Sequence, residues 1–297
     1  MIKRLGFWFL TNLLVVILAS TVITFITRYF GIQLGAGYEG LFVICLIYGF
    51  AGSFISLAIS RWSAKSMMGV QLVDNDPRFS DLVQTVHAYS RKAGIEVMPE
   101  VGVYDSPDVN AFATGPTKNK SLVAVSTGLL ENMNKEERDG VLAHEVAHIQ
   151  NGDMVTMTLV QGVVNAFVMF ASYVVTQIIS NALRSNDDDG PGLGFWAQFA
   201  VRQLLYVLFA FLAQPVVGYF SRWREYRADA GSAALGGKHN MIAALENLKR
   251  NQDLLESQKS DNMAAFQIAS KSQILALMST HPPLEKRIEA LKRGVHA

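Results

Sequence analysis

His144-Glu145-Val146-Ala147-His148 sets two imidazoles four residues apart with a carboxylate between them. On a helix of about 3.6 residues per turn, positions i and i+4 share one face, so the two rings stand one turn apart and converge on one point. Two imidazoles converging in this way suit a metal ion, zinc above all, and Glu145 beside them is placed to take a proton from a water that the metal acidifies. The same spacing also fits a surface helix with two solvated histidines, and a third ligand is what separates the two readings.

One arrangement of such sites adds a histidine six residues after the second, with a glycine midway. Asn151 and Met154 occupy those positions, which excludes it. The other takes a glutamate from a separate helix, and Glu225-Tyr226-Arg227-Ala228-Asp229 reads as such a helix. Glu225 and Asp229 are again one turn apart. Glu225 then serves as ligand, and Asp229 accepts the free ring N–H of a ligand histidine, fixing its tautomer and raising its basicity. The competing reading is an ordinary acidic pair solvated among Arg222, Arg224 and Arg227.

The elements that must position these residues are largely apolar. Half of the 297 residues are hydrophobic, only 17% are charged, and the apolar residues gather in blocks, as in a multi-pass membrane protein. Phe7 to Ile26 and Leu41 to Ser60 are each long enough to cross a hydrocarbon core of about 30 Å, and neither holds a charge. A signal peptide is the alternative for the first block, against which stand its length and the lack of a small-x-small cleavage site. Two further blocks, Val155 to Ile179 and Gln203 to Phe220, contain Gln161, Asn165, Gln177, Gln214 and Pro215, and read either as spans or as a buried helical hairpin. The loop between them, Asn181 to Gly194, is polar and turn-like.

Basic residues orient the spans: Lys3 and Arg4 precede the first, Arg61 and Lys65 follow the second, and Arg222, Arg224 and Arg227 follow the fourth. The opposite loops hold only Arg28 and Arg184, so both termini and the candidate site are expected on the cytoplasmic side. The single cysteine, Cys45, excludes an intramolecular disulfide. A net charge of +1 gives no sign of a nucleic-acid partner. The divisions expected are residues 1–61 as two membrane helices, 62–154 and 221–297 as two parts of one catalytic domain, and 155–220 as a membrane hairpin. His148 lies about seven residues before that hairpin and Glu225 about five after it, which predicts a metal roughly 10 Å from the membrane face.

Ahead of the zinc helix, β-like runs at Glu100–Tyr104, Ala111–Thr114 and Ser121–Ser126 predict a small sheet, so the fold class is mainly α with a small β-sheet. Asn110-Ala111-Phe112-Ala113-Thr114, running on to Gly115, is the candidate edge strand for holding an extended peptide by main-chain pairing, with plain hairpin packing as the alternative. Asn134 and Glu137 have capping-box spacing at the start of the zinc helix. Lys249 to Asn262 reads as a mobile lid or loop, Met263 to Met278 as a more apolar helix, and Leu284 to Lys292 as a helix behind His281-Pro282-Pro283. His87, His239 and His296 read as incidental.

Four motifs in order, His144–Asp153, Asn110–Gly115, Arg224–Asp229 and Ser279–Pro283, resemble the HtpX-type bacterial membrane metalloproteases, related to the CAAX prenyl proteases. The resemblance runs the full length and shows no departure at the site positions. It implies a gluzincin-like zinc endopeptidase of the cytoplasmic membrane, acting on unfolded or membrane-protein substrates in quality control and stress response. It also implies His144, His148 and Glu225 as ligands of one zinc ion and Glu145 as the catalytic residue. His281 is the expected second stabiliser of the oxyanion, with a helix-start residue as the alternative. The runner-up function is a zinc-binding scaffold or chaperone-like binder, which has no need of a base at Glu145. A transporter is disfavoured by the lack of charged residues in the spans. Oligomeric state is not legible.

Overall fold

The computed structural model describes residues 37–183, 193–262 and 281–294. The first hydrophobic block, Phe7 to Ile26, the helix expected at Met263 to Met278, and His296 lie outside them. Chain contacts divide the protein into two units, residues 1–56 with 158–217 and residues 57–157 with 218–297.

The described residues of the first unit are almost all helical. It takes most of α1 (Tyr38–Met67) and α5 (Asp153–Ala182), the whole of α6 (Phe195–Leu212) and the first residues of α7 (Gln214–Ser232). Among the described residues, three helical runs are long and apolar enough to cross a membrane: α1, α5 and the run that starts at Phe195. Large apolar side chains point outward along them, including Val43, Phe54, Phe167, Ile178, Leu204 and Phe211, as a hydrocarbon solvent allows. Phe42 of α1 packs on Phe167 and Phe170 of α5, ring centroids 5.3 and 5.2 Å apart. Two amide pairs lie within these segments: Gln161 donates to Asn165 at 2.8 Å and Gln198 to Ser180 at 3.2 Å. Such pairing removes the cost of an unsatisfied amide in an apolar medium.

The apolar block expected at Gln203 to Phe220 differs in its bounds. Helix begins at Phe195, and a turn at Ala213 separates α6 from α7. Pro215 is the second residue of α7, in the first turn, where its missing N–H removes no helical hydrogen bond.

The second unit is built on a four-stranded mixed sheet of β1 (Gln71–Leu72), β2 (Glu100–Tyr104), β3 (Ala111–Thr117) and β4 (Lys120–Ser126), in the order β1-β2-β4-β3. β2 and β4 run parallel, Val101 opposite Val123, and β3 is an antiparallel edge strand on β4. β3 continues past Thr114 through Pro116, which an edge strand tolerates because it donates nothing outward. Gly115 makes the bend possible: its φ is +144°, and a Cβ there would lie 2.1 Å from the Lys120 carbonyl oxygen.

Helices α2 (Ser80–Lys92) and α4 (Lys135–Asn151) pack with the sheet around Val86, Tyr89, Val101, Val123, Leu142 and Val146. Glu100 of β2 pairs with Arg61 and Lys65 in the last turns of α1, at 2.6 and 2.7 Å. Short α3 (Thr127–Asn132) links β4 to α4, and α7 passes through a π-helical turn at Ala233–Gly237 into α8 (Lys238–Asn262). α9 (Leu284–Arg293) closes the described chain.

The lid or loop expected at Lys249 to Asn262 is instead the second half of α8. Low apolar content was the wrong signal. Eight of its fourteen residues are Lys, Arg, Gln, Glu or Leu and none is Gly or Pro, so its intrinsic preference leans helical despite its polarity.

Candidate metal centre

α4 begins at Asn134, whose side-chain oxygen accepts from the Glu137 N–H while the Glu137 carboxylate accepts from the Asn134 N–H, both at 3.0 Å. This capping box satisfies two orphan donors and fixes the helical register of His144 and His148. Buried Glu137 also accepts from Asn247 and Arg250 of α8, at 2.9 and 3.1 Å, so the same carboxylate ties α4 to α8. α7 approaches α4 over small side chains, with Ala143, Ala147 and Ala228 all fully buried. Only small residues there let a carboxylate from α7 reach the imidazoles of α4.

The result is a buried triangle. His144 Nε2 lies 3.1 Å from His148 Nε2 and 3.6 Å from Glu225 Oε2, and His148 Nε2 lies 3.5 Å from Glu225 Oε1. One ligand atom from each residue falls within 4.8 Å of the others. A tetrahedral ion with ligands at about 2.0–2.1 Å needs ligand atoms about 3.3 Å apart. These separations bracket that value, and two imidazoles with one carboxylate suit a borderline divalent cation with one position left open. The residues therefore fit a metal.

Outer carboxylates face both candidate ligand histidines. Asp153 Oδ2 lies 2.6 Å from His148 Nδ1, and Asp229 Oδ1 lies 3.0 Å from His144 Nδ1, the latter short of good hydrogen-bond alignment. Asp153 reaches its histidine because Gly152, in the left-handed conformation at φ 70°, ends α4 and turns the chain directly into α5. Arg287 of α9, only 6% exposed, donates through Nε and Nη2 to both oxygens of Asp229 at 2.8 and 2.6 Å. His281 places Nδ1 3.0 Å from Glu225 Oε2.

Burial alone opposes charge on Glu225, Asp229 and His144, and their neighbours reverse that. Hydrogen bonds from His144, His148 and His281 hold the Glu225 carboxyl well below the usual carboxylate range despite its burial. Burial opposes the Asp229 charge too, but Arg287 and then His144 hold its carboxyl low. Burial pulls the His144 imidazolium down, but Asp229 and Glu225 outweigh it and raise the pKa to about 9.

Beside the triangle opens a cleft of about 130 Å³, lined among others by His144, Glu145, His281, Arg287, Asn110 and Ala111. Glu145 thus faces the space next to the ligands. Of the edge-strand residues, Asn110 and Ala111 reach this cleft. Phe112 points to the other face, its ring 5.7 Å from Tyr104, while Ala113 packs on the main core. Thr114 pairs with Leu122 across β3 and β4. The outer edge of β3 has no strand partner among the described residues. His87 lies 3.2 Å from the Pro99 carbonyl oxygen, and His239, on the surface, lies 3.5 Å from Glu136; neither belongs to the triangle.

Sequence reasoning missed two residues of the site. Asp153 stands at the end of a motif already noted, and its carboxylate five residues after His148 was the available signal. Arg287 had none, being one of four basic residues in Leu284-Glu285-Lys286-Arg287-Ile288-Glu289-Ala290-Leu291-Lys292-Arg293.

Residues 76–295 match the family model described as Peptidase family M48. Protease HtpX of Shewanella sp. (strain MR-4) is 52% identical to this chain over 293 residues, covering 98% of this chain and 99% of its own. Protease HtpX of Shewanella loihica is 51% identical over 294 residues, with the same coverage. The crystal structure of S. mikatae Ste24p superposes with a TM-score of 0.63 at 18% identity, covering 98% of this chain and 66% of that one. At that identity the likeness is one of fold, a mostly helical membrane-protease architecture with a small sheet.

Proposed function

The chain belongs to peptidase family M48 and is a membrane-associated metalloprotease; on that premise we propose a zinc endopeptidase of the bacterial cytoplasmic membrane. One zinc ion per chain is held by His144, His148 and Glu225, and the active site and both termini face the cytoplasm. Its substrates are misfolded or damaged membrane proteins and other unfolded polypeptides. The observation that carries this reading is the buried ligand triangle with Glu145 on the adjoining cleft.

A divalent ion held there supplies Lewis acidity, polarising the scissile carbonyl and acidifying water. Every other part of the chemistry falls to residues of the chain. Glu145 takes the proton from the attacking water and hands it to the departing amine, one carboxylate serving as base and then acid. His281, held at the cleft through its contact with Glu225, is the proposed donor to the oxyanion that develops on the substrate carbonyl. Asp153 and Asp229 hold the two imidazoles with Nε2 turned inward. The outer edge of β3 offers main-chain groups to an extended substrate beside Asn110 and Ala111. Binding of that kind discriminates little among side chains, as removal of damaged proteins requires.

The test is cleavage of an unfolded protein by detergent-purified enzyme, stripped of metal and reloaded with zinc, beside Glu145→Gln. Wild type cleaving only when reloaded, with the variant binding zinc and slower by about 10²–10⁴-fold, is the expected result. A variant that cleaves as fast as wild type overturns the role of Glu145.

A further inference from the structure

The proposed ligands come from α4 and α7, yet the group that joins their outer partners comes from α9. Arg287 is among the most deeply buried cations of the described chain, at 6% exposure. Two of its nitrogens clasp both oxygens of Asp229, and its third, Nη1, lies 3.3 Å from Glu225 Oε2. Asp229 in turn faces His144 Nδ1 at 3.0 Å. A single planar cation therefore touches one ligand directly and reaches a second through one intervening carboxylate.

We propose that Arg287 is a positioning residue for the metal, a clamp that sets the geometry of Glu225 and His144 together. The argument is geometric and rests on the ligand assignment above. A guanidinium presents its donors in a fixed plane, so clasping Asp229 with one edge dictates where Nη1 lies and hence where Glu225 Oε2 is held. Without it, Asp229 and Glu225 are two buried carboxylates on one face of α7, one turn apart, and their mutual repulsion drives them from the positions that ligation needs. Lysine cannot substitute: its single ammonium is a point charge that cannot span three carboxylate oxygens in one plane. Ordering of α9 is thereby a condition for tight metal binding, although α9 supplies none of the three proposed ligands.

The test measures zinc affinity by chelator competition, together with the absorption spectrum of the cobalt-substituted protein, for Arg287→Lys, Arg287→Gln, Asp229→Asn, the Asp229→Asn/Arg287→Gln double variant and Glu225→Ala. Glu225→Ala tests the underlying assignment alone, and stoichiometric zinc at wild-type affinity in it sinks the ligand reading. With that reading intact, Arg287→Lys is expected to fold, to bind zinc about tenfold more weakly or worse, and to shift the cobalt bands. The double variant, which removes both members of the clamp, is expected to bind no worse than Arg287→Gln. If Arg287→Gln does not fold, Arg287→Lys still decides. Wild-type zinc affinity and cobalt spectrum in Arg287→Lys, beside loss of zinc in Glu225→Ala, overturn the clamp and leave the ligands standing.

Discussion

Asp153→Asn isolates the charge behind one ligand while keeping its shape. Asp153 is 1% exposed, and its carboxylate sits 2.6 Å from Nδ1 of His148. Asparagine still offers an oxygen to that N–H, so the ring keeps its orientation and tautomer, but it no longer pushes electron density toward Nε2. Changes to such outer partners weaken metal binding by about 10–100-fold, or about 1.4–2.7 kcal/mol. Asp153 is also the first residue of α5, where a negative charge gains about 0.3–1 kcal/mol from the helix dipole. The substitution should therefore lower the stability of the metal-free protein slightly and that of the zinc-loaded protein by the sum of both effects. Chelator competition at fixed pH gives the first quantity directly. Thermal unfolding with and without zinc gives the second, because a tenfold loss of affinity removes about 1.4 kcal/mol of ligand stabilisation at saturating metal. A zinc affinity within twofold of wild type, or equal destabilisation of both forms, refutes the reasoning that the charge of Asp153 tunes His148.

Three other outcomes are expected. With its pKa raised to about 9, His144 is protonated at neutral pH when no metal is bound, so zinc binding must release that proton; calorimetry in two buffers of different ionisation enthalpy that shows no release near pH 7 contradicts this. The sign for stability is the opposite: the metal-free protein has the full benefit of charged His144 below the ordinary imidazole value of 6.5 and loses it as pH rises toward 9, while zinc affinity grows over the same interval. His281→Phe should lower kcat by about 10²–10³ with little change in KM, and an undiminished rate removes His281 from the chemistry. A cysteine placed in the Asn181–Gly194 loop should be labelled from the side opposite the N-terminus, and labelling from the cytoplasm means that the two preceding and following apolar helices do not cross.

How much of this was legible follows from how local each signal is. His144 and His148 are legible as a metal-binding pair from i and i+4 spacing, whereas Glu225 also needs the placement of the apolar blocks and the motif resemblance, because its own spacing fits a solvated acidic pair equally well; the structure brings one potential ligand atom of each within 4.8 Å. The sheet is legible for a similar reason, since Glu100–Tyr104 and Ser121–Ser126 are short valine-bearing runs set off by turn residues, and the structure extends the second by one residue to Lys120. The span of β3 was underestimated because Pro116 reads as a breaker until its edge position is known. Polarity alone signals a loop at Lys249 to Asn262, yet the stretch is helical because it has no Gly or Pro and more than half of its residues are good helix formers. Arg287 was invisible for a deeper reason. Burying a guanidinium is unfavourable unless carboxylates meet it, and those carboxylates lie 58 and 62 positions earlier on another helix. No pattern within α9 records that meeting. Local spacing thus reveals which atoms can bind a metal, whereas the charges that hold those atoms in place are set by tertiary contact, and that is where mutational tests of this site will be most informative.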